Sequence, residues 1–271
     1  MTPLVTIITP SYQTARWIGA TIASVRAQTR PDWEMVIIDD GSRDGSPEAV
    51  AAAAGEDLGT RIILDATPGG LGAARARNRA IARARGRFIA FVDSDDLWYP
   101  AKLERQLAFM QRTGAALSHH AYEIVREDGS PTDLARRPPP RVGYRGLVHY
   151  NVIGCSTAIY DRERAGLVKM PDIARRQDHG LWLRILKAGH EALGLDEILG
   201  AYRLRAGSVS ADKRVAAAYQ WRLFREVEGM GPVRAAWTFG RYAARHLLGR
   251  RRERPMTPEE RAARPAWPAT P

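Results

Sequence analysis

The sequence predicts an α/β fold with a mostly parallel sheet flanked by helices. Three observations carry this. Four short apolar runs in the first 112 residues lack the polar–apolar alternation of a half-buried strand. Helix-length segments separate them, and that order demands parallel strands joined by right-handed crossovers. The residues able to do chemistry cluster where those runs end, the rim at which open parallel sheets bind ligands.

The elements follow in order. Residues 4–9 (LVTIIT) form the first strand, ended by Pro10. A helix over 17–27 leads to a strand over 34–39 (EMVIID), ended by Gly41. A helix over 47–54 precedes a strand at 61–64, and a helix over 72–85 precedes a strand at 87–92 (RFIAFV). A helix over 100–111 closes this half. Residues 126–146 hold Asp128-Gly129-Ser130-Pro131 and three consecutive prolines, Pro138 to Pro140, and read as a long loop or connector. A helix over 179–187 follows. A composition shift near residues 229–232 starts a tail with six of the seventeen prolines, and disorder is expected from Pro255 onward.

Composition bounds the function. A chain of 271 residues can bury a core without a disulfide or metal staple. The lone Cys155 excludes an internal disulfide and fits a reducing compartment. The longest uncharged runs, 1–15 and 146–160, fall short of the ~18–20 apolar residues a membrane helix needs. No basic leader precedes an apolar segment, so a signal peptide is not expected. A cytoplasmic protein is implied. Lys and Arg number 41 against 30 Asp and Glu, a net charge of +11. Nine Arg against three Glu from Pro232 onward place +6 of it in the last forty residues. Such an excess suits nucleic acid, a membrane surface or a phosphorylated substrate.

The strand exits are Pro10-Ser11-Tyr12, then Asp39-Asp40-Gly41-Ser42, then Asp93-Ser94-Asp95-Asp96. Tyr12 can stack on a base, and Asp40 can accept from a base N–H. Asp93 and Asp95 are hard oxygen ligands, suited to a ribose hydroxyl and a divalent cation. A cluster of like charges is costly without a cation to balance it. Gly69-Gly70-Leu71-Gly72 is no dinucleotide fingerprint, because Arg75 stands at the sixth position and the third strand precedes it. In the helix after it, Ala74, Arg77, Asn78, Ile81 and Ala84 share the inner face, and Arg75, Arg79 and Arg83 the outer.

These motifs, as an ordered set, resemble the inverting family-2 glycosyltransferases. The matching stretches are TPSYQ (9–13), WEMVIIDDGSRDGS (33–46), ARN (76–78), GRFIAFVDSDDLWYP (86–100), RQDHGLWLRIL (176–186) and YRLRAGSVS (202–210). The resemblance implies a GT-A fold, Rossmann-like, with a nucleotide-sugar half (1–115), an acceptor half (116–230) and a basic helical tail (231–271). It implies transfer of a sugar from a nucleotide-sugar, usually a UDP-sugar, to a hydroxyl of a glycan or lipid-linked acceptor in cell-surface polysaccharide synthesis. Carried over, Pro10 and Tyr12 flank the base and Asp40 binds it. Asp93 holds the ribose, and Asp95, with Asp93, binds Mg2+ or Mn2+ at the diphosphate. Ser94, Arg77 and Asn78 lie near the donor, and Arg203 or Arg205 contacts the diphosphate. Asp178, a natural N-cap for its helix, becomes the base that takes the acceptor proton. Two positions depart from the family: Gln177 stands where Glu is usual, and Arg205 where His is found. Trp182 fits either the acceptor cleft or the core.

In the tail, Val233, Trp237, Gly240, Ala244 and Leu248 share one helical face, with Arg234, Arg241, Arg245 and Arg252 opposite. With Trp237, Phe239 and Tyr242 as interfacial aromatics, residues 232–254 suit the anionic inner face of a membrane. A helix docked on the domain fits the same pattern equally. Two other classes stay open. Aspartate-nucleophile phosphoryl transfer also uses Asp-x-Asp after a strand, but normally the first. A nucleic-acid module would suit the charge, yet no such motif occurs and the charge is mostly tail.

Overall fold

The computed structural model describes residues 2–205, 213–248 and 253–266. The first half runs β1 (Val5–Ser11), α1 (Ala15–Arg26), β2 (Trp33–Asp39), α2 (Ser46–Ala54), β3 (Ile62–Ala66), α3 (Gly72–Arg83), β4 (Phe88–Phe91), β5 (Leu97–Trp98) and α4 (Lys102–Thr113). The second half runs β6 (Leu117–Val125), β7 (Pro131–Arg136), β8 (Arg141–Val142), α5 (Tyr144–Leu147), β9 (Ile159–Asp161), α6 (Arg162–Ala165), α7 (Gln177–Lys187) and β10 (Ala192–Arg203). The chain ends with α8 (Lys213–Arg222), α9 (Pro232–Leu248), β11 (Glu253–Pro255) and α10 (Pro258–Ala262).

One sheet joins the eleven strands of the described residues, with the order β11-β7-β6-β9-β4-β1-β2-β3 along its main path. The β3-β2-β1-β4 part is parallel, as the buried apolar runs require. Successive residues face opposite sides of a strand. Ile7 thus packs with Ile18 and Ile22 of α1, while Ile8 packs with Ala80 and Ile81 of α3 and Trp182 of α7. The two apolar layers hold the sheet rigid between helices. In register, Ser11 lies opposite Asp39, and Asp39 opposite Ala66, so the strands end in one row. That row is the rim on which the polar loops converge.

Two expectations are corrected here. Residues 126–146 are no bare connector: β7 pairs antiparallel with β6, and β8 with β10. The prolines fall between β7 and β8, where no ladder donor is needed. The tail is not disordered after Pro255, at least as far as residue 266. β11 adds antiparallel to β7, and Thr257 and Glu260 form a reciprocal capping box on α10. Arg264 then reaches back to buried Glu123 at 2.7 Å and to Asp133 at 2.9 Å. Composition argued for disorder; specific pairing to a sheet edge and a buried carboxylate outweighs it. Residues 267–271 lie outside the described residues.

Helix α9 docks, but through a different face from the one expected. Ala235, Thr238 and Tyr242 are buried, and Phe239 is half-buried. Tyr242 packs edge-on to Phe224, and Phe239 edge-on to Trp221. Val233 (83 % exposed) and Trp237 (68 %) point to solvent, with Gly240 and Ala244 on the same exposed side. Of the three aromatics expected at an interface, only Trp237 is free to act there. The Leu248 side chain and Arg252 lie outside the described residues.

Candidate active site

The loop after β2 is built around two neighbouring carboxylates with different jobs. Asp39 is buried and accepts from the Ser11 hydroxyl, the Ser42 hydroxyl and the Ser42 N–H, at 3.0, 2.6 and 2.9 Å. Asp40 accepts from two amides at the start of α3, the N–H of its cap residue Leu71 at 2.8 Å and of its first residue Gly72 at 2.7 Å. A carboxylate at a helix N-terminus satisfies orphan donors and the helix dipole. Gly41 makes this possible. Its φ is +73°, and an added Cβ would sit 2.7 Å from the Gly69 Cα. Asp40 Oδ1 also takes the Thr67 hydroxyl at 3.5 Å, so it is Oδ2 that keeps a further lone pair for a ligand. Beside this loop, Pro10 is half-buried and the Tyr12 ring is 59 % exposed.

The turn after β4 holds three carboxylates in three settings. Asp93 accepts from Arg77 Nη2 at 2.5 Å, and its N–H donates to the Ser156 hydroxyl at 3.0 Å. Asp95 faces Arg205 Nη1 at 3.1 Å. Asp96 is buried, accepting from the Arg203 N–H at 3.0 Å and the Ser156 hydroxyl at 2.5 Å. Burial, then the negative neighbour Asp93, raises the Asp95 pKa; burial, then Asp95 and Asp93, raises that of Asp96 well above the usual range. Asp96 is therefore a structural carboxylate, and Ser94 is buried beside it.

The site residues predicted from the sequence separate accordingly. Arg203 is buried and spends Nε on the Asp95 carbonyl and Nη1 on the Glu127 carbonyl, so it holds the turn. Of the predicted pair, Arg205 is the one that forms an ion pair with the acidic turn, and it also lies 4.5 Å over the Trp17 ring. Asn78 is corrected too. Its amide donates to the Met170 carbonyl and accepts from the Met170 N–H, tying α3 to the loop before α7. Arg77 is 5 % exposed and faces inward as expected, while Arg75, Arg79 and Arg83 pair with surface carboxylates.

Asp178 is the second residue of α7 rather than its cap; Arg176, at φ +65°, holds the cap position. Asp178 and Asp93 line one cavity of about 280 Å3 together with Arg77, Cys155, Arg175, Arg176 and Gln177. Burial raises the Asp178 pKa, and Asp93 adds to this; the His179 amide, Arg77 and Arg176 oppose it. Trp182 is fully buried, edge-on to Phe91 at 5.5 Å, so it belongs to the core. Ser156, which bridges Asp93 to Asp96, and Cys155 in the cavity wall carry no local sequence signal. They are brought in by the chain's return from residue 147 to β9.

The sequence profile of Glycosyl transferase family 2 matches residues 6–166. The chain is a family-2 glycosyltransferase. This glycosyltransferase is 42 % identical over 241 residues to TuaG of Bacillus subtilis, assigned to teichuronic acid biosynthesis, covering 89 % of the present chain and 95 % of TuaG. It is 36 % identical over 219 residues to the Escherichia coli UDP-Glc:α-D-GlcNAc-diphosphoundecaprenol β-1,3-glucosyltransferase WfgD, covering 80 % and 84 % of the two chains. Its fold is GT-A. It superimposes on Staphylococcus aureus TarS 1-349, solved with UDP-GlcNAc, at TM-score 0.68 and 18 % identity, covering 90 % of this chain and 72 % of TarS. A Pyrobaculum calidifontis mannosyltransferase, solved with GDP-Man and Mn2+, gives TM-score 0.66 at 20 % identity, covering 92 % and 75 %. The membership makes the chain a glycosyltransferase and so retires the phosphoryl-transfer reading. No helix of the described residues is long and apolar enough to cross a membrane.

Proposed function

We propose that this glycosyltransferase moves a sugar, with inversion, from a UDP-sugar to a hydroxyl of a lipid-linked glycan in cell-surface polysaccharide synthesis. The observation that carries the chemistry is Asp178 and Asp93 on opposite elements of one cavity. The polysaccharide context and the UDP donor rest on TuaG and WfgD, which match most of this chain. In this reading Tyr12 and Pro10 flank the base, and Asp40 Oδ2 accepts from it. The acceptor O–H attacks the anomeric carbon as the bond from that carbon to the diphosphate breaks. Its proton passes to the Asp178 carboxylate, and the bonding electron pair leaves on the diphosphate oxygen.

The acidic turn suits Mg2+ or Mn2+. Asp95 and Asp93 offer hard oxygens, and the carboxylates there are crowded enough to be shifted by one another. No group of three or more His, Cys, Asp or Glu side chains among the described residues is arranged to cage a metal. That fits a cation held by one or two carboxylates and substrate phosphates. Such a cation would neutralise charge developing on the leaving diphosphate. Arg205, where the family pattern has His, would offer its guanidinium to phosphate oxygens, with Asp95 left to hold the cation.

Thermal shift tests the donor site. UDP with Mn2+ is expected to raise Tm by several degrees, and neither alone by as much. Asp95→Asn should abolish the joint effect while the unliganded variant stays folded. A larger response to GDP or dTDP with Mn2+ would overturn the UDP assignment.

The exposed side of α9 supports a peripheral membrane contact. Val233 and Trp237 stand out from the surface, and residues 232–252 contain six Arg and no acidic residue. Cosedimentation with vesicles containing phosphatidylglycerol is expected, and not with purely zwitterionic ones. Arg241→Glu combined with Trp237→Ser should weaken it roughly tenfold or more. Unchanged cosedimentation would remove the membrane reading and leave the transferase reading intact.

A further inference from the structure

The cavity beside Asp178 carries more positive charge than the reaction uses. Arg77 gives one donor to Asp93, but its Nε and Nη1 are buried and have no partner among the described residues. Arg175 Nη1 is buried and unpartnered in the same sense. Both residues line the cavity, with Arg176 beside them against the Tyr242 hydroxyl of α9. A buried guanidinium donor without an acceptor is costly, and guanidinium favours the paired oxygens of phosphate or carboxylate. With Arg77 paired to Asp93, the cavity retains Arg175 and Arg176 against Asp178.

The position says whose anion this is. Arg175 and Arg176 immediately precede α7, the helix that carries Asp178, so they stand on the side where an acceptor hydroxyl must sit. The acidic turn with Arg205 stands on another element, where the leaving diphosphate is expected. The α9 side facing away from Tyr242 is the basic, Trp-bearing surface, which would bring a membrane-held acceptor to this wall.

We infer that Arg175, with the unspent edge of Arg77 and with Arg176, forms a subsite for an anionic group of the acceptor, a phosphate joined to the acceptor sugar. The inference rests on the transferase reading above and adds an acceptor class to it. It makes the enzyme selective for a sugar carrying a phosphate linkage over the same sugar in a neutral glycoside. A carboxylate would satisfy the same donors, so the test separates the two.

The full chain, saturated with UDP and Mn2+ so that the donor diphosphate site is filled, is titrated calorimetrically with three probes. They are N-acetylglucosamine 1-phosphate, methyl N-acetylglucosaminide and glucuronic acid. The phosphate is expected to bind about tenfold or more tighter than the methyl glycoside. Arg175→Gln should erase that preference and Arg175→Lys keep part of it, both with UDP affinity unchanged, which also shows that they fold. No preference for the phosphate in the wild type overturns the inference, as does an Arg175→Gln loss that falls equally on UDP. Preference for glucuronic acid over the phosphate overturns it in favour of a uronate acceptor. Failure of the wild type to bind UDP at all would remove the UDP-donor reading on which the test rests, a result distinct from the loss of the phosphate preference.

Discussion

Asp178→Asn is expected to lower kcat by about 10²–10⁴-fold, the range attributable to a positioned general base. UDP affinity should be unchanged, because Asp178 sits on α7, across the cavity from the acidic turn after β4. Asn keeps the volume and can still accept from the His179 amide, so the helix start survives. What it loses is the ability to take a proton. The pH profile sharpens this. Burial and Asp93 raise the Asp178 pKa, so the base becomes protonated at a higher pH than a free aspartate, whose value is ~3.9. Wild-type kcat should therefore fall as pH drops through that raised value and level off above it. The acid limb should vanish from the residual activity of Asp178→Asn. Wild-type turnover in the variant would sink the assignment.

Arg264→Ala is expected to cost on the order of 3 kcal/mol of folding stability, at the lower end of the range for breaking a buried ion pair. Glu123 is fully buried on β6, and its carboxylate takes one hydrogen bond from the Tyr99 hydroxyl at 2.9 Å and one from Arg264 at 2.7 Å. Removing Arg264 leaves a buried negative charge with only the neutral donor. It also frees Asp133 and the end of the tail. Arg254→Ala, an exposed change in β11, should stay within about 0.5 kcal/mol and serves as the control. Urea unfolding of the full chain measures both. Equal midpoints for the two variants would show that the tail contributes nothing to the core it touches.

The fold was legible where burial dictates pattern. The runs that became β1, β2 and β4 are buried on both faces, and a strand between two helix layers has little alternative composition; β3, at the sheet edge, is only partly covered. The strand exits were legible for the same reason, since a parallel sheet places its loops on one rim. Boundaries moved by at most two residues, mostly because capping depends on side-chain partners far away. Asp44 shows this: it caps neither helix by spacing alone, yet its carboxylate accepts the Ala15 N–H of α1 and the Ser46 hydroxyl of α2.

Roles within the site were less legible. Asp93, Asp95 and Asp96 are identical letters in nearly consecutive positions. Only their partners distinguish them: Arg77 on α3, Arg205 after β10, and the buried Ser156 with the Arg203 amide. Asn78 and Arg203 share the periodicity or spacing of site residues and are spent on backbone carbonyls instead. Helical spacing assigned Val233 and Trp237 to an apolar face correctly, but not which face the protein would cover.

By itself the sequence determined the α/β class, the family and the rim where ligands meet the sheet, because each follows from local pattern and short motifs. Tertiary structure alone decided that the tail closes onto β7 and Glu123, that α9 docks by Ala235 and Tyr242, and that Arg175 reaches the Asp178 cavity unpaired. The tail and α9 contacts are pairings between residues tens to more than a hundred positions apart. Their energies come from desolvated charge and shape complementarity, which composition and periodicity do not encode.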